Sequence, residues 1–309
     1  MNIPTGKIES GSFYIEVAFK RANESARLIR LKTSGTRLQK SQMVETIKLE
    51  TIKETLSDFL EKIQRAFPNY RELSPFYQEL IKCYFDVRDF RKSLAAMMWA
   101  VGKINDFYKM YKHKIVKCTQ LQKINQFRTE FYGRTSSTMR QINKNLQLLE
   151  EARRILNDFP VIKKMKTICI AGFPNVGKTT LLSKLTKSKP EIASYSFTTK
   201  RLNIGYSDDI QFIDTPGTLN RFEKMNAIER QALMAMKYVA DKIIYVFDLT
   251  EIYPIEDQLK LLDVVKEFKK PVIIYLSKTD ILDEYKEFAQ KHNAFTSIEE
   301  LKKKLLDQT

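Results

Sequence analysis

The sequence predicts an N-terminal all-α helical bundle followed by an α/β unit on a doubly wound, mostly parallel sheet. Three observations carry that expectation. Residues 1–165 place apolar side chains at helical spacing and show no strand-like alternation. From residue 166 apolar strands alternate with helical stretches, the pattern of a parallel sheet covered by helices. Between the two, the apolar run Thr167-Ile168-Cys169-Ile170-Ala171 leads into the glycine-bearing segment Gly172 to Thr180 and then a helical run, Leu181 to Leu185.

In the first half, Phe13, Val17, Ala18 and Ala22 predict a helix over residues 12–30, broken after it by Gly35. A long helix is expected from Gln39, with Met43, Ile47, Ile52, Leu56, Phe59, Leu60 and Ile63 on one stripe and Pro68 as its stop. Ser74-Pro75 reads as an N-cap followed by a first-turn proline, opening a helix with Phe76, Leu80, Ile81, Tyr84 and Val87. The next helix is expected from about Ser93 through Met97, Val101, Ile104, Tyr108, Tyr111 and Ile115, with Lys109, Lys112 and Lys117 spaced to meet phosphates and Tyr108 and Tyr111 available for packing or stacking. Gly133 is expected to interrupt the pattern, and Thr135 or Ser136 to cap a last helix carrying Met139, Ile142, Leu146, Leu149 and Leu156. The boundary is expected at residues 160–166, giving a basic helical domain over 1–165 and an α/β domain over 166–309.

In the second half, strands are expected near 166–171, 202–206, 210–214, 242–248 and 271–276. Helices are expected near 178–187, 226–240, 255–269 and 282–291, with a last one from Ser297. Asp208-Asp209 suits a hairpin turn between two of the strands.

Composition narrows the partners. At 309 residues the chain has room for about two domains, and 43% hydrophobic residues exclude a mostly disordered chain. No apolar run approaches the roughly 18 residues of a membrane span, and the N-terminus lacks the apolar core of a signal peptide. Cys83, Cys118 and Cys169 form no metal spacing or disulfide framework, so a reducing, cytoplasmic setting is expected. The net charge of +16 is uneven: residues 1–165 hold 31 Lys and Arg against 17 Asp and Glu, and residues 166–309 hold 22 against 20. A basic first half suits a polyanion, either nucleic acid or an acidic membrane surface. A lysine-rich solvated helical surface is the plain alternative.

The chemistry is concentrated in GFPNVGKTT. Gly172, four residues, then Gly177-Lys178-Thr179 between a strand and a helix is a phosphate-binding P-loop. Backbone N–H groups of the loop and of the new helix's N-terminus wrap the phosphates, with Pro174, Asn175, Val176, Gly177 and Thr180 among the residues expected to line them. Gly172 and Gly177 admit the backbone closely. Lys178 is expected at the β/γ-phosphates and the Thr179 hydroxyl on Mg²⁺. Asp214-Thr215-Pro216-Gly217 ends a strand, so Asp214 is the second expected Mg²⁺ residue and the Gly217 N–H a γ-phosphate contact. Within Ser194 to Lys200 a threonine can close over Mg²⁺ and the γ-phosphate. Ser277-Lys278-Thr279-Asp280 follows an apolar strand. Asp280 can accept both N1–H and the exocyclic amine of guanine, and the Lys278 stem can cover the base. Thr296 and Ser297 lie where a fifth nucleotide motif is expected, although Ser297 can equally cap the last helix. No water-orienting glutamine lies between Gly217 and Arg230, so hydrolysis is expected to be slow and aided by a partner or a monovalent cation.

Ala171 to Lys178, then Lys189-Pro190-Glu191-Ile192-Ala193 and Phe197-Thr198-Thr199-Lys200, resemble the Obg-like GTPases. Within them the chain resembles the nucleolar GTP-binding (Nog) family in its short archaeal form. Phe67-Pro68, Pro75-Phe76-Tyr77, Phe131-Tyr132-Gly133-Arg134 and Asn226-Ala227-Ile228-Glu229 add to the likeness, which covers residues 40–280. The resemblance implies an α/β P-loop GTPase domain behind a helical domain, slow GTP hydrolysis to GDP, and a role in assembling the large ribosomal subunit. It implies rRNA and ribosomal proteins of the large-subunit precursor as partners, with the chain acting as a monomer. It makes Thr199 the switch threonine, so that Lys178, Thr199 and Gly217 serve catalysis and Thr179, Thr199 and Asp214 hold the metal. Asn175 resembles the asparagine of potassium-stimulated GTPases, which implies K⁺ as a further cofactor. Two positions depart from the family: Thr218-Leu219-Asn220 replaces Leu-Leu-Asp, and Ser277 replaces an asparagine whose amide bridges the site. Two other readings stay open, a GTP-switched factor for a protein or membrane, and a hydrolysis-poor ribosome-binding protein.

Overall fold

The structure is a computed structural model, and it describes residues 3–32, 34–186, 191–192, 203–207, 209–215, 227–250, 253–281 and 285–306. The chain divides into two compact units, one of Asn2–Glu72 with Phe85–Asn157 and one of Leu73–Tyr84 with Asp158–Thr309.

The first unit is helical. It holds α1 (Gly11–Lys32), α2 (Arg37–Ala66), a 3₁₀ turn (Tyr70–Glu72), α4 (Val87–Val116), α5 (Leu121–Gln141) and α6 (Asn143–Asn157). Gly35, at φ +116°, separates the first two helices. Thr36 then opens α2 with a capping box: its hydroxyl accepts from Gln39 N–H at 3.3 Å, and Gln39 Oε1 accepts from Thr36 N–H at 2.9 Å. The stripe Leu49, Ile52, Leu56, Leu60 and Ile63 is buried against α4, which contributes Met97, Ala100, Ile104, Tyr111 and Ile115. Truncating one of these, such as Leu56→Ala, costs about 2–5 kcal/mol.

Three sequence expectations change here. The fourth helix begins at Val87, because the Asp86 carboxylate caps it by accepting from Arg88 N–H at 2.6 Å. Val87 therefore opens this helix and does not close the one before it. Gly133 is no break either. It lies inside α5, facing open space, where a mid-helix glycine costs only about 1 kcal/mol against the packing of Phe131, Thr135, Thr138 and Met139. Thr135 is accordingly buried mid-helix, not a cap, and the chain breaks at Ile142 before α6. Finally, Tyr108 and Tyr111 are core. Both rings are buried, and their hydroxyls donate to Glu50 at 2.8 Å and Glu130 at 3.2 Å, so neither is available for stacking on a base.

The second unit is the α/β one, and it includes a helix from the first half of the sequence. Helix α3 (Pro75–Lys82) packs against α8 (Ala227–Tyr238). The Tyr77 hydroxyl donates to Pro160 O at 2.6 Å and accepts from Ile162 N–H at 3.1 Å. The expected boundary at 165 groups this helix with the bundle, whereas Leu73–Tyr84 falls in the compact unit that also holds Asp158–Thr309; its apolar Phe76, Leu80 and Ile81 are buried.

The sheet has six strands in the order β2-β3-β4-β1-β5-β6. Parallel neighbours are β4 (Ile210–Asp214), β1 (Lys166–Ala171), β5 (Lys242–Asp248) and β6 (Val272–Ser277). β3 (Asn203–Ser207) runs antiparallel to β4 through a hairpin that pairs Ser207 with Ile210. The short β2 (Glu191–Ile192), on its far side, is a strand the sequence did not suggest. Helices α7 (Lys178–Leu185), α9 (Ile255–Glu267), α10 (Lys286–His292) and α11 (Ile298–Leu306) complete the unit. The parallel strands are buried on both faces, as their continuous apolar runs require. Register brings Ile170 beside Asp214, Ala171 beside Tyr245, and Asp248 beside Ser277. The carboxyl ends of four strands thus form one crest, where ligands bind in open α/β sheets.

Candidate functional site

At the β1 end of the crest the chain turns through Gly172 (φ +143°), Asn175 (φ +61°) and Gly177 (φ +92°) into α7. A Cβ on Gly172 would sit 2.6 Å from Val246 O and 3.2 Å from the Val176 side chain, so only glycine lets β1 turn there against β5. Val176 is buried and Pro174 half-buried, while Asn175 in the loop and Thr179 and Thr180 in the first turn of α7 are exposed. Lys178 is buried, and its Nζ donates to Phe173 O across the loop. A cation and the open N–H groups of a helix start therefore share one small volume, the requirement of a polyphosphate.

Thr179 and Asp214 meet directly. The Thr179 hydroxyl donates to Asp214 Oδ2 at 2.6 Å, and Asn203 Nδ2 donates to the same oxygen at 3.0 Å. Asp214 is 4% exposed, and its Oδ1 is buried with no hydrogen-bond partner among the described residues. Burial pushes its pKa up, against the opposing pull of Thr179, Asn203 and the Lys178 charge. A buried, half-satisfied carboxylate next to a threonine hydroxyl fits a divalent cation. Among the described residues no group of three or more His, Cys, Asp or Glu gathers to hold a metal. An ion here would complete its oxygen shell from phosphate and water, the habit of Mg²⁺.

At the β5–β6 end, the Ser277 hydroxyl lies 2.7 Å from Val176 O and 2.9 Å from Phe247 O. Its single proton thus links the phosphate loop to the β5–β6 pair, so this serine keeps a bridge that the sequence reading assigned only to an asparagine amide. Lys278, at φ +55°, sends its ammonium to Asp248 Oδ2 at 2.5 Å. Burial raises the Asp248 pKa, but Lys278, the Thr250 hydroxyl and the Thr250 N–H outweigh it and hold the carboxylate below its usual range. Gln258 clamps the same turn through Asp248 N–H and C=O. With its head fixed, the Lys278 stem is left as an apolar platform. Asp280 follows on an exposed turn, with no ion pair or side-chain hydrogen bond among the described residues.

The segment before α11 adds to β6: Leu276 N–H donates to Phe295 O and Phe295 N–H to Ile274 O, both at 2.9 Å. That places Thr296 and Ser297 just past the crest. The Ser297 hydroxyl donates to Glu299 Oε2 at 2.8 Å, at the start of α11. Thr199 and Gly217 lie outside the described residues. Sequence reasoning missed Asn203 and Asp248. Asn203 is found only by its register opposite Asp214. Asp248 had a visible signal, an acid closing an apolar strand.

Residues 9–163 match the family described as NOG1 N-terminal helical domain, and residues 167–278 match the family described as 50S ribosome-binding GTPase. The chain belongs to the NOG1 family. An uncharacterized protein of Methanocaldococcus jannaschii is 40% identical over 86% of this chain and 77% of its own length. Nucleolar GTP-binding protein 1 of Drosophila melanogaster is 31% identical over 80% of this chain, and that of Saccharomyces cerevisiae 32% identical over 76%. The chain spans about two fifths of the length of these two NOG1 relatives, 40% and 38%. Among solved structures, the G domain of the T. maritima FeoB iron transporter is 32% identical over 46% of this chain and 98% of that chain, with a TM-score of 0.38. This NOG1-family chain is a GTP-binding protein with a P-loop GTPase domain behind a helical domain. No helix among the described residues is long and apolar enough to cross a membrane.

Proposed function

We propose that this protein hydrolyses GTP slowly with Mg²⁺ and serves, as a monomer in the cytoplasm, in assembly of the large ribosomal subunit by gripping its rRNA and ribosomal proteins. The observation that carries the catalytic half is the Thr179–Asp214 contact of 2.6 Å, which leaves one buried carboxylate oxygen open beside the Lys178 cradle. In this reading Lys178 holds the β- and γ-phosphates and withdraws charge as the γ-phosphate leaves. Thr179 and Asp214 hold the Mg²⁺, which neutralises phosphate charge when bound. Gly172, Pro174, Asn175, Val176, Gly177 and Thr180 shape the cradle. Ser277 and Lys278 set the base platform, Asp280 selects guanine, and Thr296 and Ser297 border it. Thr199 and Gly217 sense the γ-phosphate, and Asn175 admits K⁺.

The ribosomal half is supported by the charge asymmetry, by the NOG1 membership and by the wording of the matched family, a 50S ribosome-binding GTPase. One experiment tests both halves. The protein is sedimented with 50S particles in GDP or a non-hydrolysable GTP analogue, and turnover is measured with and without particles in Na⁺ or K⁺. Intrinsic turnover of roughly 10⁻⁴ to 10⁻² s⁻¹ is expected, with nucleotide-dependent co-sedimentation and faster hydrolysis in K⁺. Equal sedimentation in both nucleotide states with no turnover would leave a static ribosome-binding protein. Equal rates in Na⁺ and K⁺ would remove the role of Asn175.

A further inference from the structure

The outward side of α4 carries an unusual set of residues. At 100° per residue, Arg91, Trp99, Gly102, Lys103, Asp106, Lys109 and Lys117 fall within about 120° of one another, opposite the buried Met97, Ile104, Tyr111 and Ile115. All seven are exposed. Arg91, Lys103, Lys109 and Lys117 form no ion pair among the described residues, and Asp106 is the one acid of that arc. Trp99, the sole tryptophan of the chain, is 44% exposed. Gly102 stands one turn from Trp99 in the middle of a 30-residue helix, and nothing lies within 4 Å of where its Cβ would be. A mid-helix glycine is unfavourable relative to alanine, and no packing in the unit requires this one. It leaves the helix backbone bare beside the tryptophan.

We propose that this face of α4 is an RNA-docking surface on which an unpaired base stacks upon Trp99 while the sugar-phosphate chain passes over Gly102 between Lys103 and Lys109. The proposal rests on the ribosomal reading above and names the face that performs it. Charge complementarity selects the occupant. The four unpaired cations run about 39 Å along the helix, at 1.5 Å per residue from Arg91 to Lys117, and match a phosphate chain. The exposed apolar groups Met98, Trp99, Met110 and Val116 are scattered along the helix and separated by Lys103, Asp106, Lys109 and Lys114, so there is no continuous apolar stripe of the kind that inserts into a bilayer. Base stacking on an aromatic ring tolerates any sequence, because every base has a π-face.

The full-length protein reports on itself, since Trp99 fluorescence is its only tryptophan signal. It is titrated with deproteinised large-subunit rRNA, a fully paired RNA duplex of unrelated sequence, and phosphatidylserine vesicles. The rRNA is expected to quench Trp99, the duplex to bind without comparable quenching, and the vesicles to leave the emission unshifted. Trp99→Ala is expected to weaken rRNA binding about tenfold. Lys103→Gln with Lys109→Gln is expected to flatten the slope of log K against log salt by about 1.5. Gly102→Ala is expected to raise the melting temperature and yet weaken rRNA binding, which a purely structural glycine would not do. If rRNA or 50S particles bind without quenching and Trp99→Ala binds as well as wild type, this face is wrong while the ribosomal reading stands. If neither binds at all, the ribosomal reading itself falls. A blue shift on phosphatidylserine vesicles in place of rRNA quenching overturns the proposal for a membrane surface.

Discussion

Two buried carboxylates, one in each unit, are treated in opposite ways. In the helical unit Glu150 accepts from Ile8 N–H and Arg153 Nε on one oxygen, and from Arg153 Nη2 and Arg154 Nε on the other, all at 2.8–2.9 Å. Burial raises its pKa, but those donors outweigh it and bring it down to about 2. In the α/β unit Asp214 is as buried, yet only one of its oxygens has donors, and its pKa is raised. Glu45 also keeps one oxygen unpartnered, but Lys48 and Arg128 compensate its charge. Asp214 has no cation in salt-bridge contact among the described residues. A carboxylate with all its donors fastens a fold; one left open is waiting for a charge from outside the chain.

The sharpest way to break that contrast is to read both residues in one assay. Asp214→Ala and Lys178→Ala are expected to cut Mg²⁺-dependent nucleotide binding or turnover by roughly 10²-fold or more. Glu150→Gln should leave both unchanged, as seen by fluorescent-nucleotide titration. Equal losses in all three variants would dissolve the distinction.

Asp280 extends the contrast to an exposed carboxylate that is open in the same sense. Asp280→Asn is expected to move preference from GTP toward xanthosine triphosphate, by about 10² or more, because the site would then pair with a carbonyl in place of the guanine amine. Unchanged GTP selectivity in a competition assay would take Asp280 out of the site.

Stability against pH separates the pair by sign. Because the folded Glu150 pKa lies below its ordinary 4.5, its contribution is full above that value and is lost as pH falls through about 2. Glu150→Gln should therefore cost up to about 3 kcal/mol near neutrality, and little below pH 2, in thermal melts followed by circular dichroism. Asp214 runs the other way. Its contribution is full below its ordinary 3.8 and is lost as pH rises through the raised value, so Asp214→Asn should raise the melting temperature of the nucleotide-free protein at neutral pH. A lowered one would show that the open carboxylate is not under strain.

The smallest expected effect sharpens the bridge between the two ends of the site. Ser277→Ala removes the one proton shared between Val176 O and Phe247 O, a loss of about 1–3 kcal/mol for a buried hydrogen bond. Ser277→Asn adds a second donor and is expected to tighten GDP a few-fold, as measured by its dissociation rate.

The phosphate end was legible in the sequence because its chemistry is local. Glycines at fixed spacing, a lysine and a threonine between an apolar run and a helix fix the loop's shape through backbone dihedrals alone. The alternation of strands and helices after residue 166 was legible for the same reason, since side-chain period reports backbone geometry. What failed was everything decided by distant neighbours. Gly133 reads as a breaker, but packing on both sides of it carries α5 through. Tyr108 and Tyr111 share a helix with lysines, so the sequence leaves packing and stacking both open; the core takes both rings and leaves Trp99 outside. Helix α3 lies among helical segments in the sequence, and it packs against α8, more than a hundred residues further along the chain. The open oxygen of Asp214, the donors of Asn203 and Ser277, and the Asp248 carboxylate that accepts from Lys278 come together only once register has brought four strand ends to one crest. The sequence determined which groups were available and how the backbone runs near each of them. Tertiary structure decided which groups were satisfied, because a hydrogen bond or a buried contact between residues far apart in the chain is a matter of packing and register, which no local pattern encodes.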